Sequence, residues 1–460
     1  MTPTHLGWGG IARLGLVQAG LGAVVVLTTS TLNRVMVVEL ALPALLPGLL
    51  VAIHYLLQVL RPRMGFGSDV GGRRTPWIVG GMSLLALGGI TAATATAWMA
   101  SQRLPGIALA LVGFVFIGVG VSACGTSLLV LLAKRVAEPR RAAAATIVWL
   151  MMIAGMACTA GFAGKLLEPF SATRLLTVAT AVSALALTLT LLALWGLEGP
   201  GVAAAEPSPD AAPALPAAKP AFREALAQVW AEPAARQFTL FIFVSMLAYS
   251  AQELILDPFA GLVFGYTPGQ STSLSGVQHG GALAGMLLAA AAGGRFAGRP
   301  FGSLRTWAVG GCLASALALL GLVAAGIVGP GWPFKANVFA LGVANGAFAI
   351  AAIGSMMSMA GEGRAAREGV RIGLWGAAQA VAFGLGGVAG AGASDLFRWW
   401  LGQPASAYGA VFALEALLFV AAAAMAAGIG RPNGQASGAS ADPARALRPR
   451  TGEPSIASIE

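Results

Sequence analysis

The sequence predicts an all-α integral membrane protein with twelve transmembrane helices in two six-helix halves and both termini in the cytoplasm. Three observations carry this prediction. Twelve long apolar stretches recur along the 460 residues, most of them close to the ~20 residues that a helix needs to cross ~30 Å of hydrocarbon. Hydrophobic residues make up 57% of the chain and charged residues only 10%, against about 25% charged in a water-soluble globule. The cations also alternate from gap to gap between the apolar stretches, as the positive-inside rule requires.

The stretches run roughly 14–36, 43–60, 77–99, 106–133, 142–164 and 175–197, then 237–260, 272–292, 307–328, 336–360, 372–394 and 408–429. Backbone polar groups in hydrocarbon must be bonded internally, so each is expected to be a helix. The first stretch has no small-residue cleavage site after it and continues to full length, so it is expected to be a retained helix rather than a removed signal peptide. Of the 28 Lys and Arg residues, all but Arg34, Arg103, Lys165, Arg174, Lys335 and Arg398 fall on one side. That side takes the cytoplasm. Residues 1–197 form the first half and 237–429 the second. Between them, 198–236 turns to Ala, Pro and acidic residues (Glu198, Pro207, Asp210, Pro216) and is expected to be a cytoplasmic linker, too poor in apolar surface to fold alone. Within it, 222–230 has helical spacing, which suits a surface amphipathic helix or a lead-in to span seven. Residues 430–460, rich in Pro, Gly, Ser and Arg, are expected to be a disordered cytoplasmic tail.

The net charge of +10 does not imply nucleic acid, because the cations sit in short loops where they meet lipid headgroups. Cys124, Cys158 and Cys312 lie inside apolar stretches without paired spacing, which argues against both a disulfide framework and a zinc site. Enzyme chemistry finds no nucleophile beside its base and no cofactor fingerprint.

After span two stands Gly65-Phe66-Gly67-Ser68-Asp69-Val70-Gly71-Gly72-Arg73-Arg74. It resembles the Gly-x-x-x-Asp-(Arg/Lys)-x-Gly-(Arg/Lys)-(Arg/Lys) loop of the major facilitator superfamily. Gly65 and Gly72 allow a tight turn, Asp69 can meet a helix N-terminus, and Arg73 and Arg74 can anchor to headgroups. Val70 replaces a cation of the pattern. A short echo, Glu39-Leu40-Ala41-Leu42-Pro43 against Glu253-Leu254-Ile255-Leu256-Asp257-Pro258, falls at the outer ends of spans one and seven, which are equivalent in a duplicated bundle.

Ionisable residues within spans are costly and therefore functional candidates. Glu253 and Asp257 share a helical face, where two negative charges repel, and Arg34 is their candidate partner. The expectation is an outer-seam cluster of Asn33, Arg34, Glu39, Gln252, Glu253 and Asp257, serving either as a ligand or gating site or as a clasp between the halves. His54 and His279 are packing residues or axial ligands to the metal of a macrocycle. Gln278 and Gln379 can offer oxygen or hydrogen bonds. No other metal site is expected. Span eleven, with seven glycines between Gly373 and Gly392, suits close helix packing or a partner's transmembrane helix.

Four segments carry a family resemblance: Thr31-Leu32-Asn33-Arg34-Val35-Met36-Val37-Val38-Glu39-Leu40, the glycine loop running into Thr75-Pro76-Trp77, Gln252 to Pro258 with Gly261 and Phe264-Gly265 behind it, and Gly373-Leu374-Trp375-Gly376-Ala377-Ala378-Gln379. They resemble the PucC and LhaA proteins of purple phototrophic bacteria, a branch of the major facilitator superfamily. The resemblance covers both halves. It implies an assembly factor for light-harvesting antenna complexes in the bacterial inner or intracytoplasmic membrane. Its partners would be the α and β antenna polypeptides, bacteriochlorophyll as a client pigment rather than an intrinsic cofactor, and the reaction-centre core or pigment-synthesis enzymes. Older labels call this family a bacteriochlorophyll synthase. Against that label, prenyl transfer from a diphosphate needs clustered aspartates to hold Mg²⁺, and the five here, at 69, 210, 257, 395 and 442, are scattered. The alternative is a secondary transporter of an amphipathic solute or pigment, with Glu39 or Glu253 carrying a proton.

Overall fold

The computed structural model describes residues 5–60, 73–137, 140–198, 230–295, 299–361 and 368–429. The Gly65, Asp69 and Gly72 positions of the loop motif, residues 222–229 and the tail lie outside the described residues.

The described residues form helices and no strand. The first half contains α1 (Trp8–Val26, continuing to Glu39), α2 (Leu45–Leu56), α3 (Thr75–Met99), α4 (Arg103–Arg135), α5 (Arg141–Leu166) and α6 (Ala172–Leu194). In the second are α7 (Pro233–Phe264), α8 (Pro268–Arg295), α9 (Leu304–Val328), α10 (Phe334–Gly361), α11 (Glu368–Leu401) and α12 (Pro404–Gly428). Local chemistry marks the ends. Pro stands in the first turn of α3, α7 and α12, where its missing N–H costs nothing. Ser171 and Ser303 cap α6 and α9 by accepting the N–H of Arg174 and Thr306, each at 3.1 Å. Gly265, with φ 67°, ends α7 in the left-handed region. Inside the helices, hydroxyls such as Thr96, Thr190 and Thr239 donate back to the carbonyl four residues earlier, which satisfies them without water.

Among the described residues, ten helices are long and apolar enough to cross a membrane. The expected spans two and eight are not among them. α2 has 12 α-helical residues before a 3₁₀ turn at Leu57–Leu60. α8 has 28, but its Ser271, Thr272, Ser275, Gln278 and His279 lower its apolarity. These side chains are buried against protein rather than lipid. Arg34 lies within α1, buried among other side chains, in keeping with its place inside the first apolar stretch. The linker boundary at 236 moves back, because α7 starts at Pro233.

The packing shows the duplication more firmly than the sequence echo does. α1 packs on α5 and α6, α3 on α4 and α6, and α2 on α4. Six helices later the same pairs recur: α7 on α11 and α12, α9 on α10 and α12, α8 on α10. The halves meet through α5 with α8 and α2 with α11, two contacts that the same six-helix shift exchanges. That is the relation expected of repeats about an axis along the membrane normal. Each half has its own apolar core, and a small cluster around Val26, Met156, Ala282 and Met286 joins them. In α11, a Cβ on Gly390 would stand 2.8 Å from the Ala251 Cβ of α7, so glycine there lets two backbones approach. Gly376 of the same helix faces open space.

Candidate functional site

The site is a polar seam between the halves, and it begins with a proline. Pro258 lies inside α7 and has no N–H, so the Leu254 carbonyl one turn earlier loses its helical partner. Asn33 of α1 supplies the missing donor, its Nδ2 reaching Leu254 O at 2.6 Å. Arg34, next along α1, donates to Glu39 Oε1 and to the backbone carbonyl of Tyr266 just past the end of α7. Gly261 makes room for it, because a Cβ there would sit 3.0 Å from Arg34 Nη2. α1 is π-helical at Leu27–Leu32 and Val35–Glu39. Such widened turns are frequent at functional sites.

Along α1 and α8 the hydroxyls pair across the seam. Thr31 Oγ1 is 2.9 Å from Thr272 Oγ1, and Ser275 Oγ is 2.9 Å from Ser30 Oγ. Ser275 Oγ also lies 2.9 and 3.1 Å from the two carboxylate oxygens of Asp257. Two side latches flank this ladder. Thr267, just before α8, donates to Glu168 at the end of α5. Asp395, near the end of α11, accepts the N–H groups of Ala44 and Leu45 at 3.0 and 2.8 Å, capping α2 from the other half. All these contacts lie at the end of the bundle where α1 and α7 finish and α2 and α8 begin. Toward the opposite end, α2 and α11 meet through the rings of Tyr55 and Phe383, 5.0 Å apart.

The expected cluster is thus brought together in part. Asn33, Arg34, Glu39 and Asp257 lie at the seam, and Asp257 is within electrostatic reach of Arg34. Gln252 is not there. It accepts from Asn345 at 3.0 Å, and Asn345 in turn accepts from Ser315 at 2.8 Å, making a polar chain inside the second half. Glu253 is half-buried one turn from Asp257, near enough for their charges to interact. The ion pair of Arg34 goes to Glu39 instead. Residue types had left Ser30, Thr31, Thr272, Ser275 and the two latches unassigned. The hydroxyl run Thr28-Thr29-Ser30-Thr31 in a span was the available signal.

Ser275, His279 and Asp257 have the composition of a hydrolytic triad but not its geometry. His279 Nδ1 donates to the backbone carbonyl of Ser275 at 2.8 Å, whereas the Ser275 hydroxyl bonds Ser30 and Asp257 rather than the ring, so the nucleophile–base–acid chain of a triad is not formed. His54 Nε2 lies 3.3 Å from Gln58 Nε2, with its ring edge against Tyr55 at 4.7 Å. His54 and His279 are 3% and 4% exposed, each packed among protein side chains. Gln278 is buried and Gln379 half-buried. Among the described residues, no three His, Cys, Asp or Glu side chains gather to hold a metal.

Of the loop motif, Arg73 and Arg74 are described. The Arg74 and Thr75 N–H groups donate to the two carboxylate oxygens of Glu198 at 2.6 and 2.8 Å, and Arg135 donates to the Glu198 backbone carbonyl at 2.6 Å. Glu198, just past α6, therefore caps α3. Partial burial pushes its carboxyl up, but the Thr75 side chain, the two N–H donors and the Arg74 charge together outweigh this and hold it below the usual carboxylate range.

Comparison with known proteins places this geometry. Solved structures of transporters share the fold: a bacterial homolog of the human lysosomal transporter Spinster, in an inward-facing and unoccupied conformation, superposes with a TM-score of 0.64 at 16% identity, covering 91% of this chain and 95% of its own. The peptide transporter POT in complex with sulfate gives 0.66 at 15% identity, over 93% and 97%. These are major-facilitator-type folds. Among sequence relatives, the "Bacteriochlorophyll synthase 44.5 kDa chain" of Rhodobacter capsulatus is 53% identical over 431 residues, 94% of this chain and 97% of that one. "Protein PucC" of Cereibacter sphaeroides is 30% identical over 437 residues, 88% of each. The family described as PUCC protein matches residues 31–434, and the chain, a multi-pass membrane protein with a transporter-like fold, belongs to it.

Proposed function

We propose that this protein is an assembly factor for light-harvesting antenna complexes, bringing α and β antenna polypeptides together with bacteriochlorophyll in the bacterial inner membrane. The match to the PucC family over most of the chain carries this reading. The structure supports it in two ways. Polar groups of the seam hydrogen-bond to one another across the halves. The outer faces are apolar, with Leu317, Leu385, Leu396 and Leu417 exposed to lipid, a surface suited to small transmembrane clients. In this reading pigment is met at that lipid face or on the client itself, which agrees with the burial of His54 and His279. This reading includes twelve spans, with α2 and α8 crossing as part of the bundle, and both termini in the cytoplasm. It also includes no bond chemistry, notwithstanding the synthase name of one relative.

The second reading, a transporter of an amphipathic solute, is favoured by one observation: among the described residues, the cross-seam hydrogen bonds gather at one end of the bundle, as alternating access requires. Purification in detergent from a phototrophic host separates the two. Copurifying antenna polypeptides with near-infrared absorbance are expected. A colourless protein without antenna that exchanges solute in vesicles would overturn the assembly reading, and epitope tags found on opposite faces of the membrane would overturn the topology.

A further inference from the structure

Beside the seam, at the same end of the bundle, an open cavity of about 470 Å³ is walled by both halves. Ala41 and Pro43 come from the turn between α1 and α2, Asp395, Arg398 and Trp399 from the end of α11, and Pro404 from the start of α12. Asp395 spends both oxygens on the α2 N-terminus, and Arg398 reaches it at only 3.5 Å with 30% of its side chain exposed. The guanidinium also lies beside the Tyr408 hydroxyl and keeps part of its surface open on the cavity wall. Trp399 is 83% exposed, and an indole so placed on a membrane bundle belongs at headgroup level. Ala41 has φ 49°, a left-handed backbone that a side chain enters at a cost and that packing on both sides must hold. Beyond the cavity, α11 presents Leu385, Ala389 and Leu396 outward, an apolar strip with helical spacing.

We propose that this groove seats the headgroup of a zwitterionic phospholipid, with its phosphate on Arg398, its ammonium against the face of Trp399, and an acyl chain along the outward strip of α11. A guanidinium matches phosphate through charge-assisted hydrogen bonds, and an indole face attracts an ammonium. The Asp395 carboxylate beside Arg398 disfavours a headgroup with negative charge alone and suits one that carries an amine. Because both halves wall the groove, a seated lipid bridges the two connecting turns.

Native mass spectrometry of the delipidated full chain, titrated with phosphatidylethanolamine, phosphatidylglycerol or diacylglycerol of the same chains, tests this. Phosphatidylethanolamine is expected to bind about tenfold more tightly than diacylglycerol, the worth of one charge-assisted hydrogen bond, and more tightly than phosphatidylglycerol. Arg398→Gln should sharply reduce the margin over diacylglycerol. Trp399→Leu should shrink the margin over phosphatidylglycerol, leaving the part due to Asp395. Trp195→Leu, at an equally exposed indole just past α6, should change neither. Equal binding of diacylglycerol, or wild-type preferences in Arg398→Gln, would overturn the site, and equal binding of the two phospholipids would overturn the role of the ammonium. Should Arg398→Gln fail to fold, the headgroup series on the unaltered protein and on Trp399→Leu still decides.

Discussion

Asn33 and Pro258 form a unit although they lie on different helices. Replacing Asn33 with Leu leaves the Leu254 carbonyl buried without a donor, a loss of about 1–3 kcal/mol. Pro258→Ala restores an N–H at that position and with it the helical bond, so Asn33→Leu should cost little in the Pro258→Ala background. Thermal unfolding of the four proteins of this cycle in detergent checks it, and equal losses in both backgrounds would refute the pairing. The same neighbourhood shows what residue types could and could not reveal. An Arg, an Asn and acids in apolar stretches stand out in the sequence, because charge in lipid is costly. Their partners do not. Arg34 meets Glu39 five positions on, a spacing that a regular α-helix turns away and the π-helical stretch Val35–Glu39 brings round.

At the scale of elements, helix boundaries follow local chemistry, whereas the tie between α6 and α3 does not. Glu198 reads as the first residue of a polar linker, yet its carboxylate caps α3. Glu198→Gln should lower stability at neutral pH by about 0.5–1 kcal/mol, the worth of a cap at a partly exposed site. The carboxyl is held below its ordinary range in the folded protein, so its contribution is present above the unfolded value and is lost as pH falls through the folded one. The melting difference between variant and parent should therefore close in acid, below the usual carboxylate range, and a difference that widens there would contradict the assignment. α2 and α8 make the related point about length and polarity. Judged alone, one is too short and the other too polar to cross, and only their places against α11 and α5 explain why neither needs to look like a lipid-facing span.

For the whole molecule, the seam is a joint between two packed lobes, and locking it separates the two proposed functions. Ser30 and Ser275 face each other with their oxygens 2.9 Å apart, so cysteines in their places should oxidise to a bridge between α1 and α8. An assembly factor that works from its lipid-facing surface should still support antenna formation when bridged, as read by near-infrared absorbance of membranes. Loss of antenna on oxidation, restored by reductant, would point to alternating access instead. The membrane-embedded, helical, duplicated character was legible in the sequence, because hydrocarbon imposes one rule on every residue of a span: its backbone must satisfy itself, and its side chains must on the whole be apolar. Which polar groups meet across the two halves was decided by the tertiary structure. Those contacts depend on a carbonyl freed by Pro258, on the widened turns of α1 and on the register of α5 against α8 and α2 against α11, and none of these is a property of a single stretch of chain.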